Sequence, residues 1–266
     1  MFRLSLHVWL VCAALVTSAC LRAGDCSNTP QPALRDLLAR DRALADAAAR
    51  GSTAAAFLQV LAPDSEMFLP RLGSARRFWQ QDLTAPRHPG WAPVRVGSSA
   101  DGQLGYTLGP YWNTRDPARR PRGRYLAIWL HDDRVGWQLL LDHGAPAPEL
   151  RTSTTATDDC HPSSVAASAD DASVRLGRFE ALRQAESHLA TAPLAASALA
   201  WQAGEISARC ALPVQRMRIA SSADLAFTAG AEGLRSFVRI WRYAPAQARW
   251  LIEVELCGNA ASTTEH

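Results

Sequence analysis

The sequence predicts an α+β protein in which one layout, helices followed by a curved antiparallel sheet, is written twice. Three observations point to it. The stretch "SSADGQLGYTLGPY", Ser98 to Tyr111, is echoed by "SSADLAFTAG", Ser221 to Gly230. Each echo leads to a β-rich run with a central tryptophan, Trp129 in "AIWL" and Trp241 in "RIWR". A second tryptophan follows each, Trp137 and Trp250, at spacings that differ by one residue. Between the halves, "APAPELRTSTTATDDCHPSSVAASADDA" is rich in Pro, Ser, Thr and Ala and almost free of large apolar side chains, the composition of a linker. The expected boundaries are a first domain at 33–147, a linker at 148–172 and a second, shortened domain at 173–258, with a tether at 20–32 and a tail at 259–266.

The elements follow in order. "ALRDLLARDRALADAAAR" sets Leu34, Leu37, Leu38, Leu44, Ala45 and Ala48 at helical spacing, with Asp41 the one polar interruption of that stripe. Gly51 stops this helix. Ser52 or Thr53 caps the next, which carries Phe57, Leu58 and Leu61 and ends before Pro63. From Trp91 the period changes to short β-rich runs, "WAPVRVGSS", "QLGYTLGPYW", "RYLAIWL" and "WQLLLDHG", parted by turn residues such as "ADG" and "DDRVG". In the second half "RFEALRQAESHLATAPLAASALAW" reads as helical. "LPVQRMRIASS", "LAFTAG", "SFVRIWRYA" and "RWLIEVEL" read as strands.

Composition bounds the chemistry. At 266 residues, 48% hydrophobic and with nine Trp, the chain can fill two cores. It contains no Lys, which excludes Schiff-base chemistry and lysine-anchored cofactors. A net charge of +3 leaves no nucleic-acid footprint without a clustered patch, and the one dense basic run, Arg115 to Arg124, is broken by Pro and Gly as a solvated hairpin loop would be.

Residues 1–19 read as a secretory signal peptide, with Arg3, an apolar run and small residues before Cys20. "VTSAC" is similar to a bacterial lipobox, with Thr17 where Leu is usual; Cys20 would then be lipidated and anchor the chain to the membrane. Simple secretion after Ala19 is the alternative. Either route leads to the periplasmic side of a cell envelope, where Cys26, Cys160, Cys210 and Cys257 are expected in disulfides. Of three possible connectivities, position favours Cys26–Cys160 and Cys210–Cys257. Against the second pair stands the width of a four-strand meander, whose edges lie about three spacings of 4.8 Å apart if flat. Only strong curling, or a Cys210 outside the sheet, removes the objection. His88, His131, His161 and His188 show no metal-ligand spacing and read as surface residues, so no metal or cofactor is expected.

The helix pair ending in "ARGSTAAAFLQVLAPDSEMFLP", followed by "LGYTLGP", "YLAIW" and "GWQLLLDHGAP", resembles the nuclear transport factor 2-like superfamily, most closely its SnoaL-like branch. The second half matches only in outline. The resemblance implies two tandem cone-shaped domains, each with helices closing one side of a bent sheet over an apolar pocket, and a possible pseudo-dimer through the sheets. Steroid-isomerase members carry a base before the Pro after the second helix, plus a helix Tyr and a strand acid. Here those places fall at Leu69, at Leu44 or Ala45, and in "LAIWL", all apolar, which argues against that chemistry. Tyr106, Tyr125, Trp129 and Trp137, with Tyr111 and Trp112 beside them, are instead candidates to line a site for a small apolar ligand. Asp142, at the end of the last strand of the first domain, is the candidate polar contact. Asp142 and His143 alternate on a strand, so only one faces inward. The expectation is an exported, non-catalytic protein that binds a small apolar ligand or a partner protein at the bacterial cell envelope; a SnoaL-like isomerase, cyclase or hydrolase and a purely structural domain pair are the alternatives. A wholly apolar cone would favour binding. A buried Asp142 with a raised pKa would favour catalysis.

Overall fold

The computed structural model describes residues 31–68, 71–81, 88–146, 159–161, 163, 171–202 and 210–259. Cys20, Cys26 and Leu69, and with them the expected signal peptide and lipidation site, lie outside these. Helix α1 (Pro32–Arg50) opens with proline in its first turn, and its leucine stripe is buried together with Asp41. Ser52 caps α2 (Thr53–Leu58), its hydroxyl accepting from the Ala55 amide. That helix is shorter than expected. Leu61 opens strand β1 (Leu61–Phe68), and Pro63 falls where the pairing of β1 with its neighbour is irregular, a place that tolerates its missing N–H.

Strand β2 (Leu72–Ser74), helix α3 (Ala75–Gln81), and strands β3 (Pro89–Trp91), β4 (Arg95–Ser98), β5 (Leu104–Asn113), β6 (Gly123–Asp132) and β7 (Gly136–Pro146) complete the first unit. Part of the expected linker is a strand, β8 (Asp159–His161), which pairs in parallel with β4. The second unit holds α4 (Ala172–Ser187) and strands β9 (Leu194–Gln202), β10 (Arg216–Ile219), β11 (Leu225–Glu232), β12 (Arg235–Ala244) and β13 (Arg249–Asn259). The helical reading through Trp201 is thus overturned. Pro193 follows the last turn, and the alanine-rich run beyond it pairs in parallel with β13, so sheet pairing overrides its helical propensity.

The two sheets share a topology. One runs β2-β1-β7-β6-β5-β4-β8 and the other β10-β11-β12-β13-β9. Removing β2 and β8 leaves β1-β7-β6-β5-β4 against β9-β13-β12-β11-β10. In both, the first strand runs parallel to the last. In both, the register slips beside the marker tryptophan, between Ile128 and Trp129 and between Ile240 and Trp241.

Each sheet turns one face to its own helices and the other to the second sheet. The seam between them is a single apolar cluster that includes Leu104, Leu108, Leu126, Ile128, Phe227, Val238, Ile240 and Val254. Polar groups within it are matched across the halves. The register slip turns Glu253 toward the seam, where it accepts from Tyr106 (2.8 Å) and from Arg242 Nε (2.8 Å). Gly97 leaves room for the Tyr106 ring, since a Cβ there would lie 2.3 Å from it. The repeated "SSAD" turns close the seam. Asp224 accepts from the Ala100 amide of the first turn (3.1 Å), and Asp101 accepts from the Ser222 amide of the second (2.7 Å). Burial alone would raise the Glu253 carboxyl; the Arg242 charge, His161 and the hydrogen bonds from Arg242 and Tyr106 hold it below its usual range. His161 is therefore a largely covered seam residue, 3.3 Å from Glu253, and not the surface residue expected.

Cys210 and Cys257 are bonded, with Cα atoms 6.2 Å apart. The geometric objection is met because Cys210 lies outside the sheet. Its segment crosses the sheet's helix-side face, passing so close to β11 that a Cβ on Gly230 would lie 2.0 Å from the Pro213 carbonyl. Cys160 is also disulfide-bonded, to a cysteine outside the described residues.

Asp224→Ala leaves the Ala100 amide and the Ser163 and Ser222 hydroxyls without this acceptor and removes one of the acids beside Arg242, and is expected to cost about 3 kcal/mol in chemical denaturation. A loss under about 1 kcal/mol would refute the clasp as a stabilising device.

Candidate functional site

The helix-side face of the first sheet and helices α1 to α3 enclose a cone packed with aromatic and aliphatic groups. Alternation along the strands sends Thr107, Tyr125, Ala127, Trp129, Trp137 and Asp142 to this face. Asp41 enters it from α1. Fully buried, Asp41 accepts from Tyr125 Oη (2.7 Å) on one oxygen and from Trp91 Nε1 (2.8 Å) on the other. The Thr107 hydroxyl also donates to it, while accepting from Trp129 Nε1 (3.0 Å). Burial nevertheless raises the Asp41 pKa, against these hydrogen bonds.

Asp142 pairs with Ala127 on one side and with Met67 on the other. It is half-buried, and among the described residues its carboxyl is supported only by the His143 amide. Burial and then the nearby charge of Asp41 push its pKa up to about 7. The Asp41 charge thus acts on the Asp142 titration. The rim is aromatic and partly open, with Phe78, Trp91 and Tyr111 half-buried beside Met67.

Four of the five site residues expected from sequence therefore meet in one cone: Tyr125, Trp129, Trp137 and Asp142. Tyr106 does not join them. As the neighbour of Thr107 on β5 it projects to the opposite face and belongs to the seam. His143 also points away from the cone, where its ring contacts Phe68. Asp41, Thr107 and Trp91 were missed as site residues. Asp41 carried a signal, an acid inside an apolar helical stripe. Nothing local distinguished the other two.

The second cone is built on corresponding positions and is closed by its own charges. Glu186 of α4 takes the Asp41 role: Thr228 donates to it and accepts from Trp241 Nε1 (3.0 Å), as Thr107 does with Asp41 and Trp129. Arg239 sits between Glu186 (2.9 Å) and Glu255 (2.6 Å) and donates to the Cys210 carbonyl. The groove of about 980 Å³ beside α4 and residues 211–217 reaches Glu186, whose oxygens are already engaged.

No family model and no curated protein matches the chain. Among solved structures, a provisionally named ketosteroid isomerase from Parabacteroides distasonis is 12% identical over 43% of this chain and 87% of its own, with a TM-score of 0.33. A provisionally named aromatic ring hydroxylase from Novosphingobium aromaticivorans is 18% identical over 44% of this chain and 90% of its own, with a TM-score of 0.32.

Because the folded-state pKa of Asp142 is raised, its protonated form favours the fold, and that contribution is lost as pH rises from about 4 through about 7. Asp142→Asn is thus expected to stabilise the protein by about 2 kcal/mol at pH 8 and by little at pH 4. In wild-type protein, carboxyl titration by infrared or NMR should find Asp142 near pH 7, and Asp41→Asn should move it down. A titration near pH 4 would refute the raised value.

Proposed function

We propose that this chain is an exported member of the nuclear transport factor 2-like superfamily, formed by tandem duplication, whose first cone binds a small, largely apolar molecule and whose second cone is structural. The two seam-packed units act as a pseudo-dimer within one chain. The signal-like residues 1–19 and the "VTSAC" stretch support export to the cell envelope, with Cys20 lipidated or the chain secreted. One observation carries the binding reading: Asp142 presents a half-buried carboxyl inside an aromatic cone, and among the described residues its side chain is engaged by the His143 amide alone. A polar end of an otherwise apolar ligand would complete it.

Acid–base catalysis of the SnoaL-like kind in the same cone is the second reading, favoured by a carboxyl poised at about pH 7. Against it, the donors near Asp142 are spent on other groups: Tyr125 and Trp91 on Asp41, and Trp129 on Thr107. The indole N–H of Trp137 has no hydrogen-bond partner among the described residues, but it lies toward the other end of β7, beside Leu37 and Gly105, where it cannot stabilise charge developing at Asp142.

Titration of the full chain with neutral ring compounds (2-naphthol, anthraquinone, a steroid alcohol) should quench tryptophan fluorescence saturably. Ala127→Phe, which fills the cone, should weaken binding at least tenfold. Binding unaffected by Ala127→Phe would place the ligand elsewhere. Turnover of a bound compound that disappears in Asp142→Asn would establish the catalytic reading instead.

A further inference from the structure

The two cones differ at one position that decides their charge. Thr107 and Thr228 are register partners of Ala127 and Arg239, which in turn are register partners of Asp142 and Glu255. Both cones thus hold a helix carboxylate, a strand carboxylate and the same threonine–tryptophan pair. In the second, a guanidinium bridges the two acids (2.9 and 2.6 Å). In the first, the bridging position is an alanine, whose methyl offers neither acid a donor.

We propose that the first cone binds a small organic cation, an ammonium or amidinium on an apolar body, with its charge seated between Asp41 and Asp142 where the second cone holds its own Arg239 guanidinium. This rests on the reading of the first cone as a ligand site and names the ligand class. A cation there meets two acceptors and the aromatic faces of Trp91, Tyr125 and Trp129, a setting that favours quadrupole attraction after desolvation. Half-exposure of Asp142 and the open rim give it a route in. The titratable and charged groups acting on the pair are the two acids themselves, Tyr125, and Arg42, which is exposed on α1. Since Asp142 must be ionised to meet the cation, affinity should rise with pH up to about 7 and level off above it.

Calorimetry on the full chain would compare 4-phenylbutylamine and benzamidine with the matched neutral 4-phenylbutanol and benzamide at pH 5 and pH 8. The expected result is at least tenfold tighter binding of the cations at pH 8, a gap that closes at pH 5, and loss of cation binding in Ala127→Arg. If that variant does not fold, Asp142→Asn serves: it should keep the alcohol and lose the preference for the amine. Equal binding of amine and alcohol at pH 8 would overturn the cation proposal while leaving the ligand site standing. No binding by any of the four would overturn both.

Discussion

Two curved sheets, each with one helix-covered face, leave two large apolar faces that water would penalise, and their mutual burial is the interaction on which the molecule depends. The seam explains features that neither unit needs by itself. The register slip at Ile240 turns Glu253 into it, where Arg242, Tyr106 and His161 neutralise and hydrogen-bond an otherwise costly buried acid. The repeated "SSAD" turns meet there, each aspartate accepting a backbone amide of the other half. The echo in the sequence is therefore also a contact in space.

Once the seam is closed, each sheet has only its inner face left for function, and the two inner faces solve the same problem differently. A carboxylate on the packing helix is held by a strand threonine that is itself fixed by a tryptophan, in both cones. A second carboxylate stands on the last strand. In the second cone Arg239 satisfies both acids, and the disulfide-bonded segment from Cys210 crosses the remaining opening. In the first, Ala127 stands at the position of Arg239, and burial with the nearby Asp41 charge displaces the Asp142 titration upward. The two inner faces thus differ at the register position held by Arg239 in one and by Ala127 in the other. Retained stability on one side permits polar imbalance on the other.

The elements themselves were largely legible. Leucine spacing marked α1, Gly51 and Ser52 marked the break and cap, and alternating β-branched and aromatic residues marked β5 to β7 and β11 to β13. The errors came where local preference was overruled. Leu61 and the alanine-rich run after Pro193 carry helical signals, yet both join the parallel edge of a sheet, because long-range pairing outweighs a few tenths of a kcal/mol of propensity per residue. Residues 159–161 read as linker and became a strand because β4 offered an unpaired edge.

For the site, the sequence by itself determined that Asp142 and His143 face opposite ways, that aromatic side chains crowd the inner strands, and that no lysine chemistry is available. It also set Asp41 in an apolar stripe. Only the tertiary structure decided that Tyr106 belongs to the seam, that Asp41 and Asp142 share one interior, and that Arg239 bridges the matching pair in the second unit. The physical reason is the same in each case. Which face of a strand is inside, and which charges lie within a few ångströms, are set by sheet pairing between residues tens of positions apart. Periodicity along the chain says which residues share a face, and neither what that face packs against nor which charges meet there.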